Sequence, residues 1–102
     1  MVNQSIIEIL KKYLDIIPKE LGLKKAFLFG SYASGNAGEH SDIDIALILS
    51  NRDDFFKIQL ELMKLRRGID LRIEPHPIFD EDFNVQNPIA FEIQRSGIEL
   101  VC

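Results

Sequence analysis

Cysteine is nearly absent: the 102-residue chain has one, Cys102. A single thiol cannot close an internal disulfide, so a reducing, cytoplasmic setting is expected. Long apolar runs are missing too. None approaches the roughly 18–20 residues of a membrane span, and no membrane association is expected. Near the amino terminus, isoleucines mix with Glu8, Lys11 and Lys12 at helical spacing, unlike a secretory leader. There is no excess of positive charge either. Twelve Lys and Arg face sixteen Asp and Glu, giving a net charge of −4. A protein whose main task is gripping a nucleic-acid backbone carries the opposite balance, so nucleic acid is not the expected partner. Nucleotides are compatible with this charge, because divalent cations offset the negative charge of both sides. No repeat, low-complexity tract or linker interrupts the chain, and its length suits one core rather than two. A single domain over residues 1–102 is expected.

What is present is an alternation of helical and strand-like segments. Ser5-Ile6-Ile7-Glu8 has the form of a helix capping box, and apolar residues from Ile6 to Ile17 recur at helical spacing until Pro18. Residues 26–29 read as a strand, residues 30–41 as a small polar loop or a partly helical turn, and residues 43–49 as a second strand. Residues 51–54 read as a helix start, with Phe55, Ile58, Leu62 and Leu65 as the inward stripe of the helix that follows and Gly68 as its stop. Residues 69–74 read as a third strand, closed by Pro75 and Pro77. Asn87-Pro88 opens a short helix that Gly97 ends, and residues 98–101 suit a strand at the sheet edge.

The first two strands are too close in sequence for a parallel crossover and pair antiparallel. The helix between the second and third suits a right-handed parallel crossover. The expected architecture is α/β (α+β): a small mixed sheet of about four strands with helices packed on one face. Side chains alternate along a strand. Asp42, Asp44, Ala46 and Ile48 therefore share one face of the second strand, and Ile43, Ile45, Leu47 and Leu49 the other. In the third, Asp70, Arg72 and Glu74 oppose Ile69, Leu71 and Ile73. Carboxylates converging at one strand end repel each other unless divalent cations lie between them. Oxygen donors without nearby His or Cys suit Mg2+ or Mn2+ rather than zinc, and two such ions can serve an in-line phosphoryl displacement. Gly30-Ser31, at the end of the first strand, permits close backbone approach and offers N–H and hydroxyl groups to phosphate.

Gly30-Ser31, ten residues, then Asp42-Ile43-Asp44 is a G-S-x10-D-x-D pattern. Within "FLFGSYASGNAGEHSDIDIALIL" and "GIDLRIEP", the chain resembles the DNA polymerase β-like nucleotidyltransferase superfamily. Its length is similar to that of minimal nucleotidyltransferase (MNT) domains. The resemblance implies the polymerase β-like fold and transfer of NMP, AMP above all, from a nucleoside triphosphate such as ATP, with release of pyrophosphate. It implies that Asp42 and Asp44 bind two Mg2+ ions (or Mn2+), and that Asp70 completes the metal site and helps deprotonate the acceptor. Gly30 and Ser31 would hold the terminal phosphates. It further implies a HEPN-domain protein as partner, the chain acting as its antitoxin by modifying a hydroxyl.

Ser34 departs from the pattern, standing where the family usually has Arg or Lys. Arg72 either supplies charge in its stead or pairs with Glu74 or Asp70. Glu74 is the rival to Asp70 as third carboxylate. Two other functions stay open: an antitoxin acting by contact with weak or absent catalysis, and transfer to a small-molecule hydroxyl. Tyr32 stacks on a base or covers the turn. His40 reads as a solvated loop residue, His76 as part of a rigid surface turn between prolines, and Phe55 and Phe56 as core.

Overall fold

The hydrophobic alternation of residues 43–49 builds the centre of the molecule. In the computed structural model, which describes residues 4–38, 41–51, 53–84 and 86–100, this segment is strand β2 (Ile43–Leu49). Before it come helix α1 (Gln4–Asp15), strand β1 (Leu23–Phe29) and a one-turn helix α2 (Ser31–Ser34). After it come helix α3 (Phe55–Leu65), strand β3 (Ile73–Phe79), helix α4 (Pro88–Ser96) and strand β4 (Ile98–Leu100). The strands form one sheet in the order β3-β2-β1-β4. β1 runs antiparallel to β2, and β2 runs parallel to β3, as the connection lengths predicted; β1 also pairs antiparallel with β4.

One face of the sheet is a dry core. Ile43, Ile45, Leu47 and Leu49 are fully buried and pack with Ala26, Leu28 and Ile73 beneath Leu10, Tyr13 and Leu14 of α1 and Ile58 and Leu62 of α3. Tyr13 carries a polar atom into this core and satisfies it by donating from its hydroxyl to the Leu62 carbonyl at 2.8 Å. Burial raises the Tyr13 phenol well above its ordinary pKa, so it stays neutral.

The helix ends form as their capping residues dictate. The Asp54 carboxylate accepts the Phe56 N–H at 2.9 Å, and the Asn87 side chain accepts from Ile89 at 3.0 Å and Ala90 at 3.3 Å, with Pro88 in the first turn.

Three expectations need correction. First, the third strand is Ile73–Phe79, not residues 69–74, and it runs through both prolines. β3 is an edge strand, where a residue pointing its backbone away from the sheet needs no ladder donor. Outward-facing carbonyls on that edge are taken by α3 and its C-terminal turn: Gln59 donates to Pro75 O at 3.0 Å and Arg66 to Ile73 O at 2.8 Å. Second, helices do not all lie on one face. α1 and α3 cover the core face, while Ile93 of α4 packs with Phe27, Ala46 and Ile48 on the other, joined by Ile78 and Phe83. Third, Phe55 is 42% and Phe56 81% exposed, so of the expected α3 stripe Ile58 and Leu62 form the core. His40 and Cys102 lie outside the described residues.

Candidate active site

The second face of the sheet is divided. Its far half is apolar and covered by α4; its near half carries Asp44, Glu74 and His76. Parallel pairing sets Asp44 directly beside Glu74, with Ile43 beside buried Ile73 underneath. Asp42 precedes β2 by one residue and is exposed at the same end. On the other side of β2, Phe29 pairs with Asp44, so Gly30-Ser31 leaves β1 next to that carboxylate.

Gly30 is required there for two independent reasons. Its φ of 74° and ψ of −151° belong to glycine alone. A Cβ at this position would also run into the Asp44 side chain, 3.2 Å from Cγ and 3.3 Å from Cβ, with Oδ2 nearer still. The turn thus brings its backbone against a carboxylate, and α2 starts from it. The Gly30 carbonyl accepts the N–H groups of Ala33 and Ser34, both at 3.1 Å. Ser31 and Tyr32 lie earlier in that turn, where N–H groups have no intrahelical acceptor.

Ser34 is exposed and turned inward on its own helix, donating to Ser31 O at 3.2 Å while accepting from Asn36 Nδ2 at 3.2 Å. The cation that reaches α2 is Arg72, whose Nη1 donates to the Tyr32 hydroxyl at 3.3 Å. Arg72 is otherwise committed to Asp70, donating from Nη2 to Oδ2 at 2.8 Å and from Nε to Oδ1 at 3.1 Å. These hydrogen bonds hold the Asp70 carboxyl below its usual pKa and raise that of Arg72.

The sequence-predicted residues therefore separate into two groups. Gly30, Ser31, Asp42 and Asp44 meet at one end of β1 and β2. Asp70 sits in the turn before β3 with its carboxylate bound by Arg72, and the acid in register with Asp44 is Glu74. The reason is the shifted strand: with β3 starting at Ile73, Asp70 is no longer part of its alternation.

His76 was missed. It lies on β3, and its Nε2 is 3.1 Å from Asp44 Oδ1. The expectation of a site without nearby imidazole is corrected accordingly. Its flanking prolines suggested a turn; their alternation at Pro75 and Pro77 was the available signal that the segment is an edge strand with His76 on the opposite face.

Comparison with known proteins bears on the family and the fold. The family model described as "Polymerase beta, Nucleotidyltransferase" matches residues 4–102. A Methanocaldococcus jannaschii protein, "Putative protein adenylyltransferase MJ1379", is 38% identical over 72 residues, covering 69% of this chain and 72% of its own. A chain from a crystal structure of a toxin–antitoxin with AMP-PNP superposes with a TM-score of 0.65 at 27% identity, over 93% of this chain and 72% of that one. A chain from the tri-AMPylated Shewanella oneidensis HEPN toxin in complex with MNT antitoxin gives a TM-score of 0.61 at 25% identity, over 96% and 71%. The glycine turn, the D-x-D strand and this likeness over nearly the whole chain place the protein in the polymerase β nucleotidyltransferase family.

Proposed function

We propose that this chain transfers AMP from ATP to a hydroxyl group of a protein partner, in a reaction that depends on a divalent cation, and that the partner is the HEPN toxin of a toxin–antitoxin pair. The reading is supported by relatives named for protein adenylyltransfer, for AMP-PNP and for an AMPylated HEPN toxin. The observation that carries it in this chain is the Asp44 carboxylate packed against the strained Gly30 turn. A polyphosphate seated on that turn lies beside a carboxylate pair, an arrangement that repels the ligand unless a cation joins them.

Asp42 and Asp44 fit Mg2+, a hard cation usually held by one or two carboxylates with substrate phosphates completing its shell. Among the described residues no group of three or more His, Cys, Asp or Glu gathers closely enough to hold a metal by itself. Mn2+ suits the same oxygen donors. Bound there, Mg2+ supplies neutralisation of the negative charge that the triphosphate brings and develops.

The residues of the chain do the rest. Gly30 and Ser31 seat the terminal phosphates through backbone N–H and hydroxyl groups. Glu74, beside Asp44, takes the place that the resemblance implied for Asp70 and accepts the proton of the attacking hydroxyl. The acceptor oxygen bonds to the α-phosphorus, the bond from that phosphorus to the β-phosphate oxygen breaks, and pyrophosphate leaves.

Incubation with Mg2+, labelled ATP and the co-encoded partner tests this. Wild type is expected to leave a mass of one or more AMP groups on the partner, and Asp42→Asn/Asp44→Asn none. An adduct formed equally by both proteins overturns the assignment. A second reading, an antitoxin acting by contact alone, is favoured by one observation. Ser34 puts a hydroxyl, bound within α2, where a cation would meet phosphate. Neutralisation that survives the double substitution with no adduct establishes it instead.

A further inference from the structure

We propose that His76 is a positioning residue that fixes the rotation of the Asp44 carboxylate and thereby sets the cation affinity of the site. The inference rests on the reading of Asp44 as a cation ligand. A carboxylate only accepts hydrogen bonds, so the 3.1 Å contact has His76 donating from Nε2 to Oδ1. The other oxygen, Oδ2, is the Asp44 atom nearest the space beside the Gly30 α-carbon. The two oxygens are therefore divided: one bound toward β3, the other directed at the turn where phosphate would sit.

The imidazole is itself held. Its ring meets that of Phe29 edge-on, with centroids 5.0 Å apart. Phe29 is on β1 and His76 on β3, so the two rings meet across β2. The residue of β2 in register with His76 is Ala46, which leaves room above the strand. Pro75 and Pro77 on either side restrict the backbone that carries the ring. His76 thus reaches Asp44 from a stiff edge strand and is braced on the same face of the sheet by Phe29 of β1. Hydrogen bonds of this kind, from a neighbouring group to a metal-binding side chain, typically change metal affinity by about 10–100-fold when removed.

Mn2+ binding to the full chain in the presence of AMP-PNP, followed by electron paramagnetic resonance, tests the proposal. His76→Phe keeps a ring against Phe29 and deletes the donor; it is expected to weaken Mn2+ binding about tenfold or more. His76→Gln restores an N–H donor and is expected to stay within about threefold of wild type. Should the aromatic variant fold poorly, His76→Asn, whose amide is too short to reach Asp44, should show the same loss. His76→Phe or His76→Asn binding like wild type overturns the proposal. So does His76→Gln binding as weakly as they do, since the imidazole would then be a direct ligand. Asp44→Asn separates the two levels. If it binds Mn2+ as tightly as wild type, the Asp44 reading fails; if it loses binding while His76→Phe does not, only the His76 inference fails.

Discussion

The two faces of β2 differ by one residue of register and by almost everything else. On one, Ile43, Ile45, Leu47 and Leu49 have no exposure and pack into the main hydrophobic core. On the other, Asp44 stands at the open end, beside Glu74 and His76, while Ala46 and Ile48 are covered by α4. The same seven residues therefore anchor the fold and present the candidate site. The polar end is not a weakness in a core strand, because none of its polar side chains lies under α1 or α3. What the contrast teaches is that stability and activity should separate by position: substitutions on the core face, or under α4, cost folding, and those at the open end of the second face cost binding.

The sharpest way to break the separation is to hollow the core face. Leu47→Ala removes a fully buried side chain between the sheet and its helices and should cost about 2–5 kcal/mol, read as a fall in the urea midpoint. A loss as small as that of a surface change would mean the core is loosely built.

Gly30→Ala should strike both faces of the account at once. The residue would be forced into a glycine backbone conformation and against the Asp44 side chain. A cost of about 1–3 kcal/mol is expected in thermal unfolding, with loss of Mn2+–AMP-PNP binding. Unchanged nucleotide binding in this variant would show that the close approach of turn and carboxylate is not functional.

Asp70 and Glu74 offer a finer comparison between two acids four residues apart. Glu74→Gln is expected to abolish AMP transfer with little change in stability. Asp70→Asn is expected to keep transfer and to lose up to about 1 kcal/mol of stability at neutral pH, because its ion pair with Arg72 is partly exposed. Arg72 holds the Asp70 carboxyl below its usual value, so the folded chain binds that proton more weakly than the unfolded one. The stabilisation is present above the unfolded pKa of about 3.9 and is lost as pH falls through the depressed native value. The gap in melting temperature between Asp70→Asn and wild type should therefore close in acid. A gap that persists at low pH would put the cost elsewhere than in the ion pair.

Ser34→Arg should have the smallest effect. Ser34 is exposed, so stability should move by no more than about 0.5 kcal/mol. AMP-PNP affinity should rise several-fold if the position faces phosphate, and calorimetric titration reads this directly.

Much of this architecture was legible in the sequence, for identifiable reasons. Alternation along Ile43–Leu49 set aspartates against aliphatics, and the short link from β1 forced an antiparallel pair. The glycine-serine turn and its spacing from Asp42 and Asp44 anticipated that these residues lie together at one strand end. What escaped was the edge strand. Pro75 and Pro77 read as stops because the position of β3 at the sheet edge, where missing donors cost nothing, is a tertiary fact. That one misreading moved the strand, kept Asp70 in it and hid His76. The placement of α4 escaped for a related reason: its periodicity shows an apolar stripe but not which face of the sheet the stripe meets. Phe55 and Phe56 misled because aromatic residues at a helix start read as core when their surroundings are unknown.

The most direct test of the central claim is a paired measurement on Asp44→Asn: melting temperature, and Mn2+ binding in the presence of AMP-PNP. The account predicts that cation binding falls by at least about tenfold while the melting temperature holds or rises, since the carboxylate belongs to the open end and not to the core. Undiminished binding, or binding lost together with the fold, would contradict it.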